Sequence, residues 1–437
     1  MVKVLHLSDL HLGSGLAYGR INPASGINTR LEDFASTLEH CMDHAIQQGV
    51  DLVLFGGDAF PDATPPPLHQ EIFARQFRRL ADAHIPTVLL VGNHDQYGLG
   101  QEGSSLTIYR TLGVEGFIVG DRLQTFRIET ASGPVQVTTL PWLTRSTLLA
   151  RQDTVGIPAE VVSQQLLQRL HLALEAEIRQ LDPKIPAILL VHAMVDTARY
   201  GSERHLAVGK GFTVPLSLLA RPAYHYVALG HVHRHQVLCQ DPLVIYPGSL
   251  ERVDFGEEQE TKGFVLAEVQ LRQTCYEFVP CPARAFRTVR VDLACLPLDS
   301  SPSQLQTCLR NTIAEAEVGD AIVRLIYRVR PDQLEVLEET ALHTALASAF
   351  SYTIAPEMVV PTRARLPTLD PNRVEPLQAL EQYLQTREDL AGLRADMLAA
   401  AQQLVQMDGP ELDYGDLEAE DQAYDGVPPY AEQLRLL

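Results

Sequence analysis

The chain has 437 residues, which suits two or three packed cores better than one. Hydrophobic residues make up 46% and charged residues 21%, a soluble globular balance that excludes collagen-like, wholly disordered and disulfide-scaffold classes. With 35 Lys and Arg against 55 Asp and Glu, the formal net charge is −20, which argues against a protein that coats nucleic acid nonspecifically but leaves room for a local basic groove. The acidity is uneven. Residues 408–437 carry nine acids against Arg435 alone, and such a segment is expected to be disordered.

The opening strand pattern, Val2–Leu7, reaches Asp9 before any leader-peptide core can form. No apolar run approaches the ~18 residues that a membrane helix needs. Six cysteines (Cys41, Cys239, Cys275, Cys281, Cys295, Cys308) form no Cys-x-x-Cys pair, so neither a zinc ribbon nor a dithiol redox site is expected. Scattered thiols suit a reducing compartment, and a cytoplasmic protein is the expectation.

A helix capped by Asn28 or Thr29 follows the first strand, with Leu31, Phe34, Leu38, Met42 and Ala45 on one face and Gly49 as its stop. Leu52–Phe55 is a strand. A helix follows the prolines at 65–67 and runs to about His84, and Thr87–Val91 is the third strand. This rhythm predicts an α/β sheet with helices outside. Strands then fall near Phe117–Val119, Leu123–Ile128 and Val135–Leu140, a helix near Val161–Leu181, and strands at Ile188–Val191 and Tyr226–Leu229. From Gln236 to Val279 the pattern is mostly strands, so the sheet should be antiparallel in part. Beyond Pro280–Pro282 comes a compact β-α-β-α-β module, its second helix near Gln333–Ala347. The expected division is a main domain over 1–283, a small α/β domain over 284–361, a Pro- and Arg-containing linker over 362–372, one long helix over 373–407, and the acidic tail.

Five apolar strands each run into residues of metal-ligand type: Asp9 and His11; Asp58; Asn93, His94 and Asp95; His192; and His231 and His233. A lone strand-end Asp or His is ordinarily a turn or cap residue. Five such pieces, each directly after an apolar strand, are hard to reconcile with independent turns, because open α/β sheets build their sites beyond the carboxyl ends of strands. Imidazole, carboxylate and carboxamide without thiolate suit Mn, Fe or Zn better than Mg or Ca. Seven ligands exceed what one ion needs, so two ions sharing the Asp58 carboxylate are expected, with phosphoester hydrolysis as the chemistry. His94 is then free to protonate the leaving oxygen. Asp95 either orients that imidazole or is a turn acid.

Asp-Leu-His, Gly-Asp, Gly-Asn-His-Asp, the single His192 and Gly-His-Val-His together resemble the calcineurin-like metallophosphoesterase superfamily. The opening LHLSDLHLG and the segment from Tyr246 to Glu257 (YPGSLERVDFGE) resemble the SbcD-type DNA-repair nucleases more specifically. The likeness is close over about residues 1–280, and the later module resembles that family's capping domain. The resemblance implies a metallophosphoesterase β-sandwich flanked by helices. It also implies one ion on Asp9, His11, Asp58 and His233, a second on Asp58, Asn93, His192 and His231, manganese preference, and His94 as the catalytic histidine. It implies DNA as substrate, a homodimer within a heterotetramer, a coiled-coil SbcC-type ATPase docked by C-terminal helices, and a nucleoid-associated place in the cytoplasm. Pairing through 68–84 and 106–112 is part of the same expectation. The sequence departs from the family at Pro61, where His or Asp is usual; Asp62 comes one later. The family's histidine there is tied to exonuclease action, which this departure bears on.

His6 is expected to be structural and His235 to lie at the surface. Arg199, Tyr200, Arg204, His205 and Lys210, in the loop after His192, are candidate phosphate and base contacts, equally readable as a solvated loop. Glu251, Arg252 and Asp254 are expected to buttress the site. The rival enzyme reading is a phosphodiesterase or phosphatase for small nucleotides. The rival non-enzyme reading is a scaffold tethering an ATPase to DNA.

Overall fold

The computed structural model describes residues 1–97, 103–143, 159–201, 213–298, 300–334, 336–359, 376–385 and 387–406. Contact density divides the chain into two units, Met1–Val359 and Val360–Leu437.

The first unit begins with β1 (Val2–Leu7), α1 (Thr29–Gln47), β2 (Leu52–Phe55), α2 (Pro67–Asp82), β3 (Thr87–Leu90), α3 (Thr107–Leu112) and β4 (Phe117–Gly120). It continues with β5 (Gln124–Thr130), β6 (Gly133–Leu140), α4 (Ala159–Ile178), β7 (Ala187–His192), β8 (Met194–Val195), β9 (Thr213–Val214), α5 (Leu216–Leu219) and β10 (Tyr226–Gly230). Then come β11 (Gln236–Gln240), β12 (Leu243–Tyr246), β13 (Gly263–Val269) and β14 (Cys275–Pro280). Two six-stranded mixed sheets result, ordered β14-β13-β1-β2-β3-β4 and β11-β12-β10-β7-β6-β5. In the first, β1 to β4 are parallel and β13 runs antiparallel between β1 and β14; in the second, β12, β10, β7 and β6 are parallel, with antiparallel edges.

Alternation along the strands explains the layering. Val2 and Val4 face the second sheet and pack with Ile188, Leu190, Tyr226 and Ile245. Leu5 and Leu7 face the other way, onto Phe34 and Leu38 of α1 and Phe73 and Phe77 of α2. Leu189 and Val191 of β7 carry Leu170 and Leu174 of α4. The product is a β-sandwich flanked by helices, as the family resemblance implies; the patterning alone predicts an α/β sheet with helices outside. His6 shares the inward parity of Val2 and Val4. Its Nε2–H donates to the Leu229 carbonyl (3.1 Å) and its Nδ1 accepts from the Tyr226 hydroxyl (2.8 Å), so it stitches the two sheets together.

Within the same unit, β15 (Phe286–Asp292), α6 (Pro302–Glu315), β16 (Ile322–Val329), α7 (Pro331–Leu334), α8 (Glu339–Ala345) and β17 (Ser351–Met358) form a three-stranded parallel sheet with its own apolar core. The expected second helix is divided into α7 and α8. Arginines join this module to the sandwich. Arg30, fully buried on α1, pairs with Asp33 (3.0 Å) and Glu251 (3.2 Å), bonds the Arg252 carbonyl and lies over Phe286 at 5.5 Å. Arg284 bridges Asp33 (2.6 Å) and Asp320 (2.8 Å).

The second unit holds α9 (Pro376–Gln385), a 3-10 segment over Glu388–Leu393 and α10 (Arg394–Gln406). The single helix expected over 373–407 is therefore broken. Arg387 turns extended (φ −112°, ψ 92°), and Gly392 lies in the tight turn that follows. The linker at 362–372 and the tail at 408–437 lie outside the described residues.

Candidate metal centre

Asp9 and His11 follow β1, Asp58 follows β2, Asn93 and His94 follow β3, His192 closes β7, and His231 and His233 follow β10. The carboxyl ends of parallel strands from both sheets thus meet at one edge of the sandwich. The chain turns sharply there to aim short side chains inward. Asp9, His11, Asp58 and His231 all hold left-handed backbone, with φ of 53°, 45°, 58° and 105°. Such conformations cost roughly 1–3 kcal/mol each in a non-glycine residue and persist only where the surroundings enforce them. Here the enforcement is a loop-to-loop ladder: Asp9 N–H to the Gly57 carbonyl (3.0 Å) and His11 N–H to the Asp58 carbonyl (3.0 Å). Glycine is required at position 92, where an added Cβ would stand 2.1 Å from Asp58 Oδ1.

The predicted ligands converge. His11 Nε2 lies 3.0 Å from His233 Nε2 and 3.6 Å from Asp58 Oδ2. His192 Nε2 lies 3.4 Å from the same Asp58 oxygen and 2.9 Å from Asn93 Oδ1, which is also 2.9 Å from His231 Nδ1. Asp9, His11 and His233 form one cluster and Asp58, His192 and His231 another; His11, Asp58 and His94 link them, the ligand atoms of each group lying within 4.8 Å of one another.

Hydrogen bonds on the far ring nitrogens fix which atoms face inward. His192 Nδ1–H donates to the Gly56 carbonyl (2.6 Å) and His233 Nδ1–H to Glu257 Oε1 (2.6 Å). Each ring therefore turns its Nε2 toward other acceptors. The nitrogen–oxygen donor set fits a pair of divalent ions that would share Asp58. Burial lowers His192 and His233, but Asp58 beside the first and Glu257 beside the second lift both to about 9, so without an ion each ring carries a proton that a metal would displace. Burial pushes Asp58 up, but His192, His11 and His94 around it hold it well below the usual carboxylate range. Burial holds His11 well below its ordinary value and His231 at about 3, so both stay neutral and able to ligate.

Behind these ligands stands a buried support. Glu257 takes His233 on one oxygen and Lys262 (2.8 Å) and the Val253 amide (2.9 Å) on the other. Burial would raise the Glu257 carboxyl, but His233 and Lys262 hold it well below its ordinary value. Trp142 lies over His231, ring centroids 4.8 Å apart. His94 Nδ1–H donates to the Pro61 carbonyl (2.7 Å), which leaves its Nε2 free of that contact.

Three expectations are corrected. Asp95 does not orient His94: its oxygens accept from the amides of Asp58 (2.8 Å), Ala59 (3.1 Å) and Gly92 (2.9 Å), so it shapes the ligand loops from beneath. Glu251 and Arg252 sit at the junction with the three-stranded module, and it is Glu257, not singled out in the sequence, that supports a ligand. His235 is half-buried, not at the surface. It donates to the Tyr246 carbonyl (2.9 Å) and stacks on Phe278 at 4.2 Å. Asp62 accepts from the Thr64 amide and hydroxyl and closes a turn. Arg204, His205 and Lys210 lie outside the described residues.

The family model for the calcineurin-like phosphoesterases matches residues 2–235, more than half the chain and all of the ligands. The chain belongs to this family. Among curated proteins, this phosphoesterase is 26% identical over 279 residues to the uncharacterized metallophosphoesterase YhaO of Bacillus subtilis, covering 63% of this chain and 59% of that protein. It is 25% identical over 277 residues to the SbcD component of nuclease SbcCD from the same organism, covering 62% and 66%. The SbcD component from Staphylococcus epidermidis is 24% identical over 300 residues, covering 67% and 73%. The matches thus span less than two thirds of the first two relatives. Among solved structures, a Danio rerio dimetal phosphatase is similar at 12% identity and a TM-score of 0.38, covering 64% of this chain and 99% of that one. A Thermus thermophilus protein gives 17% and 0.35, covering 63% and 98%. Among the described residues, no helix is long and apolar enough to cross a membrane.

Proposed function

We propose that this phosphoesterase is a manganese-dependent DNA nuclease of the SbcD type, acting at duplex ends and on hairpin or single-stranded DNA together with an SbcC-type ATPase. The observation that carries the reading is the buried pair of ligand clusters joined at Asp58, with His94 beside them. The relatives named as nuclease components support the choice of DNA. So does the segment from Tyr246 to Glu257, which resembles that of the SbcD-type nucleases.

Asp9, His11, Asp58 and His233 would hold one ion, and Asp58, Asn93, His192 and His231 the other. The pair would supply charge neutralisation at the phosphoryl group and activation of water. The protein's own groups do the rest. Glu257 keeps the His233 ring turned inward. The Pro61 carbonyl fixes Nδ1–H of His94, so the proton given to the leaving oxygen comes from Nε2. Residues 1–283 would be the catalytic domain and 284–361 the cap. The helices within 373–407 would dock the ATPase coiled coil, and two copies would pair through α2 and α3.

The test is Mn-dependent cleavage of an end-labelled hairpin duplex beside a small chromogenic phosphodiester, wild type against His94→Gln. Removing a general acid lowers the rate by roughly 10²–10⁴-fold. Wild-type protein that hydrolyses the small ester but leaves DNA intact, even with its ATPase and ATP, would overturn the nuclease reading. A small-nucleotide phosphodiesterase would then take its place. One feature favours that rival: a recess of about 310 Å³ beside His94, lined by Pro61, Asp62, Thr64 and Tyr97, lies at the lower end of sizes for small-ligand pockets.

A further inference from the structure

A second recess, of about 320 Å³, lies where the chain runs from the candidate ligand His233 into β11. Thr197, Arg199, Arg234, His235 and Gln236 line it with two aliphatic residues of β11. None of its lining residues is acidic, although the chain carries a net charge of −20. Arg234 directly follows the predicted ligand His233, so its Cα lies about 3.8 Å from that of a metal-site residue.

Arginines elsewhere in this unit are largely committed. Arg30, Arg79, Arg221, Arg284 and Arg328 each pair with a carboxylate. Arg199 and Arg234 are exposed, and neither guanidinium has an ion-pair or hydrogen-bond partner among the described residues. Their backbones are nonetheless fixed. The Arg199 amide donates to Gln236 Oε1 (2.9 Å), and Gln236 Nε2 donates back to the Arg199 carbonyl (3.0 Å) and to the Arg234 carbonyl (3.4 Å). One amide side chain thus pins both arginines to one recess. The floor beneath is firm, because His235 is stacked on Phe278.

We infer that Arg199 and Arg234 form a subsite for backbone phosphates of a DNA strand, holding nucleotides next to the one whose phosphodiester lies at the metal centre. Each guanidinium offers a planar fork that matches phosphate oxygens. Phosphates along a strand recur at about 3.4 Å of helical rise, so a recess that starts one residue from a ligand falls within one to a few nucleotides of the scissile bond. The inference rests on the nuclease reading and adds to it the direction in which the strand leaves the site.

The experiment reads binding and cutting separately. Binding of a fluorescent single-stranded oligonucleotide is followed by anisotropy over a salt series, for wild type, the double variant Arg199→Gln/Arg234→Gln and the double variant Arg199→Lys/Arg234→Lys. Loss of two phosphate contacts lowers the slope of log K against log salt by about 1.4, at 0.7 per contact on a single strand. The Gln variant is expected to show that loss and a roughly tenfold weaker affinity at low salt. The Lys variant should retain the slope, because ammonium also neutralises phosphate. Hydrolysis of a small chromogenic diester should be the same in all three, which also shows that the variants fold. A Gln variant with wild-type slope and affinity would overturn the subsite. Wild type that binds with the steeper slope yet never cuts DNA would support the subsite while sinking the nuclease reading.

Discussion

At the scale of single residues, the site depends on groups that never touch a substrate. Glu257 sets the ring of His233, so Glu257→Gln should weaken Mn binding by roughly 10–100-fold, the usual cost of losing a partner behind a ligand. Calorimetric titration checks this, and unchanged affinity would remove Glu257 from the site. Gly92→Ala should cost at least as much, because its methyl would collide with Asp58 Oδ1. The seven candidate ligands and His94 were legible because they cluster at the ends of apolar strands. Glu257 was not, since it lies 24 residues beyond His233, at the end of the 3-10 turn Phe255–Glu257 and not directly after an apolar strand. The Pro61 carbonyl was invisible for another reason: any residue type supplies that acceptor, so what replaces the usual His or Asp still positions His94. Asp95 was ambiguous in sequence, and its three amide partners resolve it as a scaffold residue.

Among the elements, two joints carry most of the consequence. The first is His6 on β1, which ties the sheets together from full burial, and burial holds its pKa at about 3. The unfolded chain takes up a proton near pH 6.5 that the folded chain refuses until about pH 3, so stability is lost as pH falls through that window. The slope is about 1.4 kcal/mol per pH unit for one such group. His11 and His231, likewise depressed, add to it in chelator-treated protein. Urea unfolding between about pH 6.5 and 5 should therefore be shallower in slope for His6→Asn than for wild type. Equal slopes would assign the effect elsewhere. The second joint is Arg30. Arg30→Met leaves the fully buried Glu251 without its partner and should cost ~3–5 kcal/mol of unfolding free energy. Strand and helix patterning identified most elements, but not sheet order, which depends on partners far apart in sequence, such as β1 with β13. The broken helix before residue 407 escaped for a local reason. Its leucine spacing continues across Arg387 and Gly392 while the backbone does not.

For the molecule as a whole, the division at Val359 separates chemistry and self-pairing from ATPase docking in the proposed scheme. A chain ending at Val359 should hydrolyse a small diester at the wild-type rate and fail to co-purify with the ATPase. Co-purification of the shortened chain would move the docking surface into the first unit. The tail that lowers the net charge was legible as composition alone, and nothing in its pattern assigns it a partner.

Trp142 is the single tryptophan of the chain, and it lies over His231, while His11 and His233 belong to the other cluster. The molecule therefore carries an optical probe at one half of its metal centre. Paramagnetic manganese entering the half with His192 and His231 should quench that emission strongly, and filling the half with Asp9 and His233 should change it far less. Set against calorimetry, a fluorescence titration would then give the order in which the two positions fill.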